Sequence, residues 1–239
     1  MKDVLTIEKA ILNYASENGQ FGLSQIIESL GINRNSASHY LTKLFRCQKI
    51  DRVGTGQYQL HAKQNFSYIP SEEIINLFEV LKKELPFTDF CIYDGSIFTS
   101  FQHHIAVNKA IYVETNRDAI DSVFNRLKEM GFQVYKQPDS TFIYDYVNLQ
   151  ERCIIVKPYI TEAPVKKLNK VVVPTLEKLL VDIQRDPDFD YMRGSESHYM
   201  FDTAIDQFSI NLTKLMRYAR RRGCEEKILS LFHQINNYD

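Results

Sequence analysis

Residues 23–60 read LSQIIESLGINRNSASHYLTKLFRCQKIDRVGTGQYQL, and the apolar spacing changes twice along them. Leu23, Ile26, Ile27 and Leu30 share one helical face, with Ser24 near the N-cap. Gly31-Ile32-Asn33 is a tight turn, since glycine takes the left-handed backbone of a helix end without a Cβ clash. A further helix starts at a cap on Asn35 or Ser36. Its apolar set is Ala37, Tyr40, Leu41, Leu44 and Phe45, spaced i, i+3, i+4, i+7, i+8. The opposite face carries Arg34, Asn35, Ser36, Ser38, His39, Thr42, Lys43 and Arg46. Ile50 and Val53 then precede a Gly54-Thr55-Gly56 turn, and Tyr58 and Leu60 alternate after it, which is a β-hairpin pattern.

Upstream, Ile7, Ala10, Ile11 and Tyr14 mark residues 6–17 as an amphipathic helix, closed by Asn18-Gly19. Three helices and a hairpin in this order resemble the winged helix-turn-helix family along the whole quoted stretch. The physics suits double-stranded DNA as partner. A recognition helix needs one apolar face for docking and one face of small polar and basic groups for the major groove. Arg34, Asn35, Ser36, Ser38 and His39 stand at its N-terminal end, where base edges are reached. Arg reads guanine and Asn reads adenine. Thr42 lies on the same face, and Lys43, Arg46 and Arg52 suit phosphates. The same face also suits a module used only for protein contacts.

The whole chain of 239 residues carries 29 Lys plus Arg against 30 Asp plus Glu, a net charge of -1 that speaks against nucleic acid at first sight. Its distribution reverses that. Residues 1–66 hold eight bases and five acids, or +3, which leaves -4 for the rest, and residues 30–66 alone reach +5. Near residue 66 the pattern also breaks, at the aperiodic Asn65-Phe66-Ser67-Tyr68-Ile69-Pro70. Two domains are expected, 1–66 and 67–239. No apolar run reaches the ~18–20 residues of a membrane span. The start MKDVLTIEKAILNYA lacks the apolar core of a secretory signal. Cys47, Cys91, Cys153 and Cys224 are scattered, without the paired spacing of a disulfide framework or zinc ribbon. Together these favour a cytoplasmic protein.

Residues 67–239 predict a mixed α/β domain with a helical C-terminal part. Ser71 caps a helix facing inward with Ile74, Leu77, Phe78 and Leu81. Strands are expected at 90–93, 109–114, 132–135, 141–147 and 152–157, with another at 171–173. Helices are expected at 97–104 and at 116–130. In the tail, Leu176, Leu179, Leu180 and Ile183 form one stripe. Phe201 to Ala219 form a longer one, and Ile228, Leu229, Phe232 and Ile235 form the last. All read as core.

Three places in the sequence could carry chemistry. Asp94-Gly95-Ser96 followed by Glu114 has the layout of a nucleotidyltransferase, whose two metal ions need two or three clustered carboxylates. The second strand offers Glu114 alone, so the constellation is incomplete. A nuclease reading of Asp94 and Glu114 wants Lys where Asn116 stands. His103 and His104 are neighbours that point apart on a helix. No metal, cofactor or catalytic residue is expected, and an enzyme domain fused to a DNA-binding module stands as the alternative. The run Arg217-Tyr218-Ala219-Arg220-Arg221-Arg222 is distinctive. Arg217, Arg220, Arg221 and Arg222 form either a second basic patch for phosphate or an acidic partner, or simple favourable charge at a helix C-terminus.

The N-terminal domain, KAIYVETNRDAIDSVF (109–124), VPTLEKLLVD (173–182) and INLTKLMRYARRRG (210–223) follow one another in an order that resembles the AbiEi-type antitoxins and regulators of type IV toxin–antitoxin systems. The resemblance spans most of the chain. It implies a bacterial repressor acting at the operator of its own operon beside a nucleotidyltransferase-like toxin. It also implies that the C-terminal domain takes part in neutralising that toxin, with the arginines from 217 to 222 as a positively charged surface.

Overall fold

The computed structural model describes residues 4–47, 49–102 and 108–238. The chain divides into two compact units, Met1–Asn65 with Asp206–Ser209 and Ile235–Asp239, and Phe66–Ile205 with Ile210–Gln234. Both combine helix and strand, so the protein is of mixed α/β class.

The first unit begins with α1 (Val4–Asn18), β1 (Phe21–Gly22), α2 (Leu23–Leu30) and α3 (Arg34–Arg46). The hairpin β2 (Ile50–Gly54) and β3 (Gln57–Leu60) follows. The two-residue β1 pairs antiparallel with β3, Phe21 opposite Tyr58, and makes a three-stranded sheet in the order β1-β3-β2. Ile11, Ala15, Phe21, Ile26, Ala37, Leu41, Leu44 and Ile50 form a single buried cluster. Gly31 ends α2 at φ 63°, with its N–H donating to Ile27 O. The caps differ from expectation. Gly22, not Ser24, precedes α2, with its N–H donating 2.6 Å to Gln25 Oε1. Asn33, not Asn35 or Ser36, caps α3, accepting from Ser36 N at 2.8 Å. The cap lies one residue outside the first helical residue, where a side-chain oxygen reaches the orphan amides of the first turn.

The second unit contains α4 (Glu72–Glu84), β4 (Phe90–Asp94), β5 (Ile111–Thr115), α5 (Ile120–Glu129), β6 (Val134–Lys136), α6 (Ser140–Tyr146) and β7 (Ile154–Pro158). The hairpin β8 (Val165–Leu168) and β9 (Val171–Pro174), then α7 (Leu176–Arg185), α8 (Ser195–Gln207), α9 (Leu212–Arg221) and α10 (Glu225–Tyr238), complete the chain. The main sheet runs β4-β5-β7-β6, antiparallel at β4 and parallel elsewhere. Alternation along β4 and β5 sorts side chains to two faces. Phe90 and Ile92 face α4, where Phe78 meets Phe90 edge-on at 6.5 Å. Arg126 of α5 bonds Glu84 of α4, so α5 lies on that same face. Tyr93, Tyr112, Glu114 and Lys157 face the other way, toward α7, α9 and the 3-10 segment Pro187–Met192.

Three expectations change here. Residues 141–147 are helical: Asp139 caps α6 by accepting from Phe142 N at 2.8 Å, and only Ile143 is buried. The aromatic alternation at Phe142, Tyr144 and Tyr146 mimics a strand, but these rings are exposed. The long stripe from Phe201 to Ala219 is broken into α8 and α9. Between them Gln64 and Phe208 form a parallel bridge, with Gln64 N donating to Gln207 O and Ser209 N to Gln64 O, and Asn211 caps α9. The expected helix at 97–104 is a 3-10 segment, Gly95–Phe98, and His103 and His104 lie outside the described residues. No helix among the described residues is long and apolar enough to cross a membrane.

Candidate functional site

On α3, the i, i+4, i+7 set Ala37, Leu41 and Leu44 is buried against the first unit's core. That phase turns Arg34, Asn35, Ser38, His39, Thr42, Lys43 and Arg46 outward and leaves Ser36 half-buried, so the expected residues share one helix face. Arg34, Asn35, Ser38, His39 and Arg46 make no side-chain hydrogen bond or ion pair with the described residues. Two others are engaged. Thr42 Oγ1 donates to Ser38 O at 2.8 Å and is left as an acceptor. Lys43 Nζ meets Glu8 Oε1 at 2.6 Å, and that bond raises its pKa above the ordinary lysine value. Arg52 is exposed on β2, its Nε turned toward Gly54 O at 3.3 Å.

The arginine run is not one patch. Arg217 is exposed on α9. Arg220 is chelated by Glu225, with Nε and Nη2 at 2.9 and 2.6 Å from its two oxygens. Arg221 bonds Thr161 Oγ1 and lies 3.7 Å from Glu162. Arg222 is 13% exposed, bonded to Asp186 and 3.6 Å from Asp182. It belongs to the interior.

That interior holds what the sequence reading missed. Lys178 Nζ, 1% exposed, donates to Glu114 Oε1 at 2.6 Å and Asp182 Oδ2 at 2.5 Å. Tyr93 and Tyr218 donate their hydroxyls to Glu114 and Asp182. Lys157 Nζ donates to Asp186 at 3.0 Å and Asp188 at 2.7 Å, over the faces of Tyr112 and Phe189. Three cations and four carboxylates thus tie β5, β7, α7 and α9 together. Burial alone pulls the Lys157 and Lys178 ammoniums down. The paired carboxylates outweigh it and hold both well above the ordinary lysine value. Burial pushes the Asp182 carboxyl up to about 6 against the pull of Lys178. For Asp186, Lys157 and Arg222 overcome burial and bring it down to about 2. The sequence signal was the pair Lys178 and Asp182, i and i+4 within an apolar stripe.

The nucleotidyltransferase and nuclease layouts do not assemble. Asp94 pairs across the β4–β5 ladder with Ile111, whereas Glu114 pairs with Cys91. The two acids are therefore three residues apart along the ladder, about 10 Å. Asp94 accepts from Ser96 N and Oγ as a cap, and Glu114 is held by Lys178. Gly95 follows Asp94 for a steric reason: a Cβ there would lie 2.3 Å from Asn108 O. Among the described residues no group of three His, Cys, Asp or Glu side chains is placed to hold a metal ion. Cys47, Cys91, Cys153 and Cys224 are free thiols, the last three buried.

No curated protein matches the chain. The DUF6577 family, described as a family of unknown function, matches residues 36–238, and the chain belongs to that family.

Proposed function

We propose that the protein is a DNA-binding transcriptional repressor whose first unit is a winged helix-turn-helix reader. The carrying observation is the α3 face: Arg34, Asn35, Ser38, His39 and Arg46 have no side-chain hydrogen bond or ion pair with the described residues, on a helix whose opposite side is locked into a core. The β2–β3 hairpin, with Arg52, stands as the wing. A base-reading face requires unengaged donors and acceptors, because each would otherwise break an internal bond to bind. The resemblance to AbiEi-type proteins extends the reading to an antitoxin that represses its own operon beside a nucleotidyltransferase-like toxin. The second unit would then be the toxin-facing or effector part. An enzymatic reading has no geometric support from Asp94 and Glu114.

The test is fluorescence anisotropy of the full chain on the DNA upstream of its gene and on a shuffled duplex. Arg34→Ala and Asn35→Ala should each weaken binding to the upstream DNA about 5- to 150-fold, the worth of a bidentate base contact, and leave the shuffled duplex nearly unaffected. Lys43→Ala should weaken both alike and flatten the salt dependence. Specific binding that survives all three changes would sink the assignment.

A further inference from the structure

The carboxyl ends of β5 and β7 open on a cleft of about 1080 Å³, with a side pocket of about 280 Å³ reaching Lys157. Its position follows from the topology. The chain leaving β5 passes to α5 on the α4 face. The chain leaving β7 passes through β8 and β9 to α7 on the opposite face. Two parallel neighbours whose connections part in this way leave a crevice, and in open α/β sheets ligands bind there.

The backbone marks the same place. Four non-glycine residues among those described have positive φ. Asn169 and Lys170 form the two-residue turn of the β8–β9 hairpin, where that conformation is ordinary. The other two are Gln137, at φ 45° directly after β6, and Glu162, at φ 63° in the loop after β7. Both line the cleft, Gln137 in the side pocket. Left-handed backbone at non-glycine residues is strained and gathers at binding sites.

The lining is charged and mixed. Arg117, Arg185 and Arg221 come from three separate elements, and Asp89 and Asp118 share the cleft with them. Arg117 and Arg185 are exposed and have no acidic partner among the described residues. Arg222 is already neutralised by Asp186. A nucleic-acid backbone is a poor fit, since it would set phosphates against Asp89, Asp118 and Glu162. A molecule with one anionic end and one donor-bearing end satisfies both signs. Guanidinium forks match the oxygens of phosphate, and carboxylates accept from hydroxyl or amino groups.

We propose that this cleft binds a small phosphate ester bearing hydroxyl or amino donors, its phosphate held by Arg117 and Arg185 and its donors by Asp89 and Asp118. The volume is that of a pocket for a nucleotide-sized ligand. Nothing in the proposal depends on DNA reading, because Arg34 and Asn35 lie in the other unit.

Isothermal titration of the full chain with inorganic phosphate, ribose 5-phosphate and adenosine monophosphate tests it. The two esters should bind more tightly than phosphate alone. The double variant Arg117→Ser, Arg185→Ser should weaken them about 10- to 150-fold, the loss of one strong charge-assisted bond or more. Lys128→Ser, on α5 outside the lining, should leave binding unchanged. Circular dichroism confirms that the double variant is folded. Absence of binding by all three probes overturns the proposal. So does ester binding that the double variant leaves intact. Displacement of the esters by random duplex DNA, with DNA affinity falling in the double variant, overturns it in favour of a polyanion surface.

Discussion

Replacing Lys178 with methionine tests whether the buried charges hold the second unit together. The ammonium is 1% exposed and lies 2.6 Å from Glu114 and 2.5 Å from Asp182. Methionine keeps the length and apolar stem of lysine, so the change removes charge with little change in packing. Glu114 would keep only the Tyr93 hydroxyl, since its Oε2 has no partner among the described residues. Asp182 would keep the Tyr218 hydroxyl and a distant Arg222 at 3.6 Å. Taking one member from a buried ion pair costs about 3–5 kcal/mol, because the remaining charge stays desolvated. For a unit of this size that is a fall in Tm of about 6–20 °C. The chain has no tryptophan, so melting is best followed by far-UV circular dichroism. The triple variant Lys178→Met, Glu114→Gln, Asp182→Asn removes the stranded charges and should recover much of the loss, since whole buried ion clusters are often replaceable. A single variant within about 1 kcal/mol of the parent would refute the reasoning. A triple variant as unstable as the single would show that packing, not charge, was lost.

The pH dependence has a definite sign. Burial raises Asp182 to about 6, so between its unfolded value near 3.8 and that point the folded chain holds a proton the unfolded chain has released. Its contribution is present below about pH 4 and is lost as pH rises through 6. Asp186, brought to about 2, acts oppositely, with stability lost as pH falls from about 4 to 2. Melting curves from pH 3 to pH 7 should show the upper slope, and Asp182→Asn should abolish it. Arg222→Ala should destabilise by about 3 kcal/mol, as a broken buried pair, whereas Arg217→Ala on the exposed face should stay within about 0.5 kcal/mol. Equal effects in urea titrations would refute the division of the arginine run. Gly95→Ala should cost about 1–3 kcal/mol through the close approach of Asn108, and an unchanged Tm would show that the loop yields without cost.

The elements of the first unit were legible because each helix there has one wet and one buried face, and 3.6-residue spacing records that directly. Their caps were less so. Asn33 and Asn35 are the same residue two positions apart, and only the amide each reaches distinguishes them. In the second unit, α8 and α9 looked continuous because the apolar phase runs on through Ile205, Phe208 and Leu212. At the break Phe208, which belongs to the first unit, bridges Gln64 of that same unit, far away in sequence. The partners of the basic run were hard to read for the same reason. Spacing shows which residues share a face, but it does not show which acid each base will find. Glu225 takes Arg220, Thr161 and Glu162 engage Arg221, and Asp186 takes Arg222 into the interior. The run is basic as an inventory and largely neutral in place. Arg117 and Arg185 stand singly in sequence beside Asp118 and Asp186 and give no pattern there. Strand ends and a helix end bring them to one cleft. The capacity to hold an anion in the second unit therefore lies where sequence clustering is weakest, in guanidiniums whose nearest acids in sequence are not their partners in space.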